Sequence, residues 1–273
     1  MGKSMKLWRK IICIGLGILW VLPFVLMILI AFNDNNSTSF EVILDPATWT
    51  LDNFSKAWNQ ADFSRGFFNS TVVTTVSVFL ILMLTSMAGY ALGRFEFRTK
   101  KLFIVMMTGS MIVPAVFFSI PLYQLLKILQ VDQSLLGLIL VEVCGAHVMF
   151  VLLFMKHYQS IPDSLEESAL MDGASPWQIY WRIMFPMARP VIGTVVITQT
   201  VWTWNAFLMP LILTLNNPNL RTLSVAMYAF QGENIVDWGG MMAAGCIAVI
   251  PMLVLFLLFK NFFIAGIEGA VKG

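Results

Sequence analysis

Few residues of this sequence have the types and spacing of a functional site, and the densest group of them lies between residues 157 and 189. There, Glu167-Ser168-Ala169-Leu170-Met171-Asp172-Gly173-Ala174 combines acidic and small residues with a glycine, and Ile183-Met184-Phe185-Pro186 begins ten residues after that glycine. A compact, small-residue helix that ends at a glycine suits a groove in a partner protein. The chemistry that these residues predict is therefore recognition.

The sequence contains no pattern typical of a catalytic or nucleotide-binding site. It lacks G-x-x-x-x-G-K-[ST], so it cannot bind ATP in the P-loop manner, and it lacks H-E-x-x-H and a convincing nucleophile–base set. Cys13, Cys144 and Cys246 fall inside apolar runs, which argues against a disulfide framework or a paired metal site. Any ATP-driven function would need a separate subunit to bind the nucleotide.

The composition places the elements around this segment in a lipid bilayer. Of 273 residues, 58% are hydrophobic and only 12% are charged. Six apolar runs reach the length of about 20 helical residues that a hydrocarbon core requires; they lie at 11–32, 69–93, 102–126, 134–155, 190–214 and 239–260. We therefore predict an all-α integral membrane protein with six transmembrane helices in a single domain over 1–273, its first run an uncleaved anchor.

The basic residues predict the orientation. Thirteen of the 17 lysines and arginines fall on one side of the six runs and four on the other. The minority are Lys56, Arg65, Lys127 and Arg221. By the positive-inside rule both termini and the segment 157–189 are cytoplasmic.

Local signals within 157–189 predict two short helices that meet at a corner. Gly173 suits the left-handed backbone that ends a helix, and Ser175-Pro176-x-Gln178 is typical of a capped helix start. Trp177, Tyr180, Trp181 and Met184 then recur at helical spacing as one apolar face. This face packs either on the inner ends of the chain's own spans or on a partner, and the sequence leaves both interpretations open.

Glycine and proline predict the shape of the spans. Gly89 and Gly93 form a G-x-x-x-G pair that allows another helix to approach closely. Pro114 and Pro121 in the third span and Pro210 in the fifth are expected to bend or interrupt those helices.

The run from Glu167 to Pro186 resembles the EAA motif of the membrane subunits of bacterial ABC importers. That motif reads E-A-A, three residues, Gly, nine residues, Ile, any residue, Leu-Pro; here Ser168 replaces the first Ala and Phe185 the Leu. Further fragments extend the resemblance over nearly the whole chain: Asn53-Phe54, Phe68-Asn69-Ser70, Ala88-Gly89-Tyr90-Ala91-Leu92-Gly93-Arg94-Phe95, Pro114 with Ile120-Pro121-Leu122-Tyr123, Trp204-Asn205-x-Phe207-x-x-Pro210-Leu211 and Gly269-Ala270-Val271-Lys272-Gly273. Together they are similar to the carbohydrate permeases, and more narrowly to the maltose-transporter-type second permease.

The resemblance implies the ABC importer permease (MetI-like) fold in a bacterial inner membrane, with both termini cytoplasmic. It implies that a coupling helix in 157–189 docks on a separate ATPase, through Glu167, Ser168, Ala169, Asp172, Gly173, Ala174, Trp177 and Pro186. The implied partners are a second related permease, two cytoplasmic ATPases that bind ATP and Mg, and an extracytoplasmic solute-binding protein. The substrate would be a sugar, and no cofactor, metal or nucleic acid is expected on this chain.

Candidate residues for a substrate path lie in the fourth and fifth spans. Glu142 either lines the path or is protonated or paired at a subunit interface, and His147, five residues on, is expected on another side of the helix. Thr194, Thr198, Trp202 and Asn205 form a polar stripe with one aromatic ring, which suits a sugar or a contact between two permease helices.

Two alternatives remain open on the sequence. One is a permease for another solute such as a glycerol-phosphate ester, although phosphate would call for Lys or Arg in the path and the span interiors offer none. The other is a membrane-embedded enzyme or receptor that uses Glu142 and His147.

Overall fold

The computed structural model describes residues 2–34, 39, 44–60, 62–145, 147–231 and 236–271, with the side chains of 2–7, 9, 60 and 260–271 excepted. Within these ranges the chain is mostly helical and has no strands. In chain order the helices are α1 (Gly2–Ala31), α2 (Asp52–Gln60), α3 (Phe63–Arg94), α4 (Lys100–Ser110), α5 (Ser119–Ile128), α6 (Leu135–Val143), α7 (Val148–Ser160), α8 (Asp163–Met171), α9 (Pro176–Ile179), α10 (Phe185–Met187), α11 (Arg189–Trp204), α12 (Leu208–Thr214), α13 (Leu223–Ala226) and α14 (Trp238–Val271). A π-helical turn over Tyr180–Met184 joins α9 to α10.

Up to six membrane spans are available in the described chain, by length and composition. Lys10–Ala31, Phe63–Arg94 and Trp238–Phe259 are each long and apolar enough alone. Three bent pairs qualify when each is counted as one span: α4 with Ala115–Ile128, α6 with α7, and α11 with α12. The all-α, six-span class predicted from the sequence is confirmed. The predicted bounds of the spans, the single domain over 1–273 and the cytoplasmic termini stay predictions.

The bend in the third span follows from Pro114. Helix α4 ends at Ser110, Pro114 caps a 3₁₀ turn over Ala115–Phe118, and the two helical parts meet at 96°. Proline lacks an N–H and disfavours the helical conformation of the residue before it, so an α-helix cannot run through this point.

Pro121 and Pro210 act differently from the sequence expectation. Each is the third residue of its helix, α5 and α12, where a backbone N–H has no intrahelical partner to lose. The 48° break in the fifth span lies at 205–207, before Pro210, and these prolines therefore start new helices instead of interrupting existing ones.

The chain forms two compact units. The first comprises Met1–Phe67 and Thr222–Met252, and the second comprises Phe68–Arg221 and Leu253–Gly273. In the first unit the buried Asn53 amide caps the end of α1: its Nδ2 donates to the carbonyl oxygens of Ala31, at 3.1 Å, and Asn33, at 2.7 Å. Gly239 contacts the same amide, since a Cβ at that position would come within 2.6 Å of Asn53 Nδ2.

In the second unit, α3 packs closely on α7 through the predicted glycine pair. A Cβ on Gly89 would lie 2.4 Å from Phe154 Cβ, and one on Gly93 would lie 3.1 Å from the Met155 carbonyl oxygen. The core formed around this contact includes Phe154 and Tyr158 and continues into the segment 157–189. The fold thus connects the predicted recognition segment directly to two spans.

Candidate functional site

The predicted corner of the segment 157–189 is present and is built by its own backbone. Helix α8 ends at Met171, and Gly173, two residues later, has a φ of +80°. The Gly173 N–H donates to the Leu170 carbonyl at 3.0 Å and the Ala174 N–H to the Ala169 carbonyl at 2.9 Å, which together make a Schellman motif. No atom outside the neighbouring residues lies within 4 Å of a Cβ placed on Gly173, so the glycine is required for its conformation alone.

The predicted second helix begins with a complete capping box. Ser175 Oγ accepts from the Gln178 N–H at 3.3 Å, and Gln178 Oε1 accepts from the Ser175 N–H at 2.8 Å. Both interactions satisfy donors that a helix start would otherwise leave free. The corner therefore has a defined geometry at both of its helix ends.

After Ile179 the helix widens into the π turn, which the sequence analysis did not predict. Its widened hydrogen bond runs from the Phe185 N–H to the Tyr180 carbonyl, five residues apart. Pro186 is the cause: it has no N–H to offer the Arg182 carbonyl, and its ring would collide with that carbonyl in a regular helix. The extra residue in the turn makes room for the ring.

The structure divides the predicted aromatic face between two environments. Tyr180 and Met184 are fully buried in the core that includes α3 and α7, and Trp181 is half-buried beside them. Trp177 stacks on Tyr180 with ring centroids 5.9 Å apart but is 57% exposed. The inner part of the face packs on the chain's own spans, and Trp177 remains exposed on the surface.

A mixed apolar and acidic surface projects from the corner; we call it the corner surface. It comprises Glu167, Leu170, Met171, Asp172 and Trp177, all exposed, with Met171 at 88%. Leu170 and Met171 were missed by sequence reasoning, although two consecutive large apolar residues beside a helix-ending glycine were a visible signal.

The other predicted docking residues lie at different depths. Ser168 and Gly173 are exposed, Ala174 and Pro186 are half-buried, and Ala169 is buried against the chain's own core at 9% exposure. The side chain of Ala169 thus serves packing within the chain.

A buried hydrogen-bond chain ties the π turn to the spans. The Tyr180 hydroxyl donates to Ser86 Oγ at 3.0 Å, and Ser86 Oγ lies 2.8 Å from the Tyr158 hydroxyl. Burial raises the pKa of the Tyr180 phenol above its ordinary value, and the hydrogen bond to Ser86 opposes that rise. Tyr180 therefore stays protonated and remains a donor at neutral pH.

Arg94, the last residue of α3, makes the second polar link to the segment. Its guanidinium pairs with the Asp163 carboxylate through Nη1, donates through Nη2 to the Ile161 carbonyl at 2.7 Å, and lies 3.4 Å from Glu166 Oε2 through Nε. The Tyr90 hydroxyl donates to the other Glu166 oxygen at 3.0 Å. The sequence analysis uses Arg94 only as one of the basic residues and as part of the fragment 88–95, because nothing local indicates partners about 70 residues away.

In the spans, Glu142 is held by a polar group of its own chain. Thr203 Oγ1 donates to Glu142 Oε2 at 3.0 Å, and the buried Gln199 donates to Thr203 Oγ1 at 2.9 Å. His147 contacts the main-chain carbonyl of Glu142, at 2.7 Å from Nε2, and not its carboxylate. The helix ends at Val143, so the helical geometry assumed for this pair does not apply.

The polar stripe on α11 remains accessible. Thr194, Trp202 and Asn205 are exposed and Thr198 is half-exposed. The Trp202 ring stacks on Phe150 with centroids 5.5 Å apart, so one face is held against α7. Asn205 Nδ2 donates to the Val201 carbonyl at 2.8 Å and fixes the end of the helix. The stripe is free to meet either a solute or another helix.

Comparison with known proteins identifies the family to which these features belong. Residues 85–268 match the model of the binding-protein-dependent transport system inner membrane component. The chain belongs to this family. The matched region contains the corner, the π turn and the stripe on α11, and the family description makes the chain an inner-membrane component of a transport system that works with a binding protein.

Full-length relatives agree with the family match. The chain is 31% identical over 268 residues to the probable ABC transporter permease protein YurM of Bacillus subtilis, covering 98% of this chain and 87% of the relative. It is 32% identical to the melibiose/raffinose/stachyose import permease protein MelC of Bacillus subtilis, covering 92% of this chain and 91% of the relative.

A solved structure supports the fold. The fold matches a chain in the crystal structure of a bacterial ABC transporter involved in the import of the acidic polysaccharide alginate, with a TM-score of 0.82 and 20% identity, covering 96% of this chain and 99% of that one. The predicted ABC importer permease fold is confirmed.

Proposed function

We propose that the chain is the permease subunit of a bacterial sugar ABC importer, forms half of its translocation path and has no catalytic activity of its own. A separate cytoplasmic ATPase, which binds ATP and Mg, drives it through the corner surface. The remaining partners are a second, related permease and an extracytoplasmic solute-binding protein.

The corner surface is the observation that carries this proposal. Leu170, Met171 and Trp177 expose apolar area beside the carboxylates of Glu167 and Asp172. An apolar patch rimmed by polar groups on a rigid corner is typical of a protein interaction site. The opposite side of the same segment is packed into α3 and α7, so a force applied at the corner reaches the spans.

A neutral sugar is the substrate class that the stripe on α11 favours. Thr198 and Asn205 offer hydrogen-bonding groups for hydroxyls, and Trp202 offers an aromatic ring for the C–H face of a pyranose. No Lys or Arg lies in the predicted span interiors, as a phosphate ester would require. The name of MelC, an import permease for melibiose, raffinose and stachyose, supports the same class.

The proposal is tested by co-purifying the ATPase with variants of the tagged permease. Met171→Asp places a charge in the centre of the corner surface, and we expect ATPase recovery to fall at least about tenfold, as for a central interface residue. Met187→Asp is the matched control, because Met187 is an exposed methionine of the same segment outside the corner surface. Equal recovery with both variants would refute the docking surface.

Substrate class is tested on the reconstituted transporter with radiolabelled melibiose, raffinose and glycerol 3-phosphate. We expect ATP-dependent uptake of at least one sugar and a reduction by Trp202→Ala. Uptake of glycerol 3-phosphate alone would replace the sugar assignment and leave the docking proposal intact.

A further inference from the structure

Arg94 is a charged residue placed almost out of contact with solvent at the end of a span. Its side chain is 6% exposed, although it terminates α3 beside the polar loop 95–99. A guanidinium in such a place must be paired and hydrogen-bonded, because desolvation of an unpaired charge is costly. Its partners among the described residues, at Ile161, Asp163 and Glu166, lie at the start of α8 or just before it.

These contacts attach the guanidinium at more than one point. Nη1 and Nη2 hydrogen-bond to the Asp163 carboxylate and the Ile161 carbonyl, whereas the buried Nε makes only a 3.4 Å charge contact with Glu166, without a hydrogen bond. The Glu166 carboxylate is also held by Tyr90, of the preceding turn of α3. Glu166 is 18% exposed, so water screens this pair less than an ordinary surface ion pair. The rigid fork of arginine fixes direction as well as distance.

The attachment joins the element that carries the corner surface to one transmembrane helix. The corner surface begins with Glu167, one residue after Glu166. If α8 moves, α3 must follow it or four polar contacts must break. The link through Tyr180 and Ser86 holds the π turn, whereas Arg94, together with the Tyr90 hydroxyl, holds the start of α8.

We propose that Arg94 is a positioning residue for energy coupling, which transmits the movement of α8 to α3. The proposal rests on the proposed function, since it requires an ATPase that displaces the corner. Arg94 does not touch that ATPase; it determines how much of the displacement becomes movement of a span.

The test uses the complete reconstituted transporter and measures sugar molecules imported per ATP hydrolysed, with a sugar that the uptake screen identifies. We expect Arg94→Ala to lower this ratio about tenfold, the size of effect that residues on a coupling route produce. We expect Glu166→Gln to lower the ratio as well. Arg94→Lys should keep part of the wild-type ratio, because lysine keeps the positive charge but loses the forked guanidinium. ATPase co-purification should stay unchanged in all three.

Glu96→Gln is the matched control. Glu96 also pairs with a basic residue, Lys100 at 2.7 Å, but it is 87% exposed and forms no ion pair with α8 among the described residues. Glu96→Gln removes one carboxylate charge, as Glu166→Gln does, but from the loop 95–99 that follows Arg94, and the ratio should not change. A fall equal to that of Glu166→Gln would show a general charge effect and overturn the proposal.

The remaining outcomes separate positioning from stability. If uptake and ATP hydrolysis fall together so that the ratio is kept, Arg94 only stabilises the permease and the proposal is wrong. If Arg94→Ala does not assemble, Arg94→Lys and Glu166→Gln decide, and an unchanged ratio in both overturns it. If Met171→Asp lowers ATPase recovery while Arg94→Ala and Glu166→Gln leave the transport ratio unchanged, only the role of Arg94 is refuted. If Met171→Asp leaves ATPase recovery unchanged, the proposed docking through the corner surface is refuted.

Discussion

At the scale of single residues, the backbone conformation of Gly173 predicts that substitutions at this position destabilise the protein. Its φ of +80° is a conformation that costs an L-residue about 1–2 kcal/mol. We expect Gly173→Ala to lower the thermal stability of the purified permease, and Gly173→Asn to lower it less, because asparagine tolerates this region better. Gly17→Ala is the control: Gly17 lies in a helix with no atom beyond its own helix backbone within 4 Å of an added Cβ, so this substitution should not lower the thermal stability. Equal effects at both positions would contradict the account.

The buried Tyr180 hydroxyl predicts a dependence of stability on alkaline pH. Its pKa is raised in the folded state by burial, so the fold favours the protonated phenol. This stabilisation is fully present below the unfolded pKa of about 10 and is lost as pH rises through the folded pKa. Tyr180→Phe should therefore flatten part of the decline in melting temperature above about pH 10, while it costs about 1 kcal/mol at neutral pH through the lost hydrogen bond. An unaltered alkaline slope would show that this hydroxyl is not buried.

The residues that the sequence predicted well are those whose roles are local. The Gly173 turn and the Ser175–Gln178 box depend on neighbours within five residues, so their types and spacing are sufficient. Arg94 and Glu166 meet across 72 positions, and Ser86 and Tyr180 across 94. Such partners follow from the packing of α3 on the segment, which no single-sequence pattern encodes.

At the scale of elements, the contact between α3 and α7 depends on Gly89. A Cβ there would come within 2.4 Å of Phe154 Cβ and 2.9 Å of both Met155 N and Val151 O, and backbone atoms cannot give way. We expect Gly89→Ala to separate the helices at a cost of about 1–3 kcal/mol, visible as a lower melting temperature. Gly15→Ala is the control, since nothing lies within 4 Å of that site. Unchanged stability of the Gly89 variant would mean that the two helices are farther apart.

The bends show where sequence reasoning about elements is limited. Pro114 stops a helix because its ring and missing N–H act locally. Pro121 and Pro210 give the same local signal, yet they lie in first turns, because the position of a break depends on the preceding residues and on packing. The π turn before Pro186 likewise needs the core around Tyr180 and Met184 to hold its extra residue.

At the scale of the whole molecule, the distribution of basic residues predicts the orientation. With the native cysteines Cys13, Cys144 and Cys246 replaced, a single cysteine at Met171 should react with a membrane-impermeant maleimide only in inside-out vesicles. A single cysteine at the exposed Leu51 should react only in intact spheroplasts. Labelling of both positions from the same side would contradict the predicted orientation.

The most direct test of the central claim is site-directed cross-linking in the complete transporter. A permease with Met171→Cys as its only cysteine is treated with a short bifunctional reagent in inside-out vesicles, and the product is identified by mass spectrometry. The account predicts a covalent adduct with the ATPase subunit and loss of ATP-driven sugar uptake once that adduct forms. An adduct with lipid or with the second permease alone, together with unimpaired uptake, would contradict it.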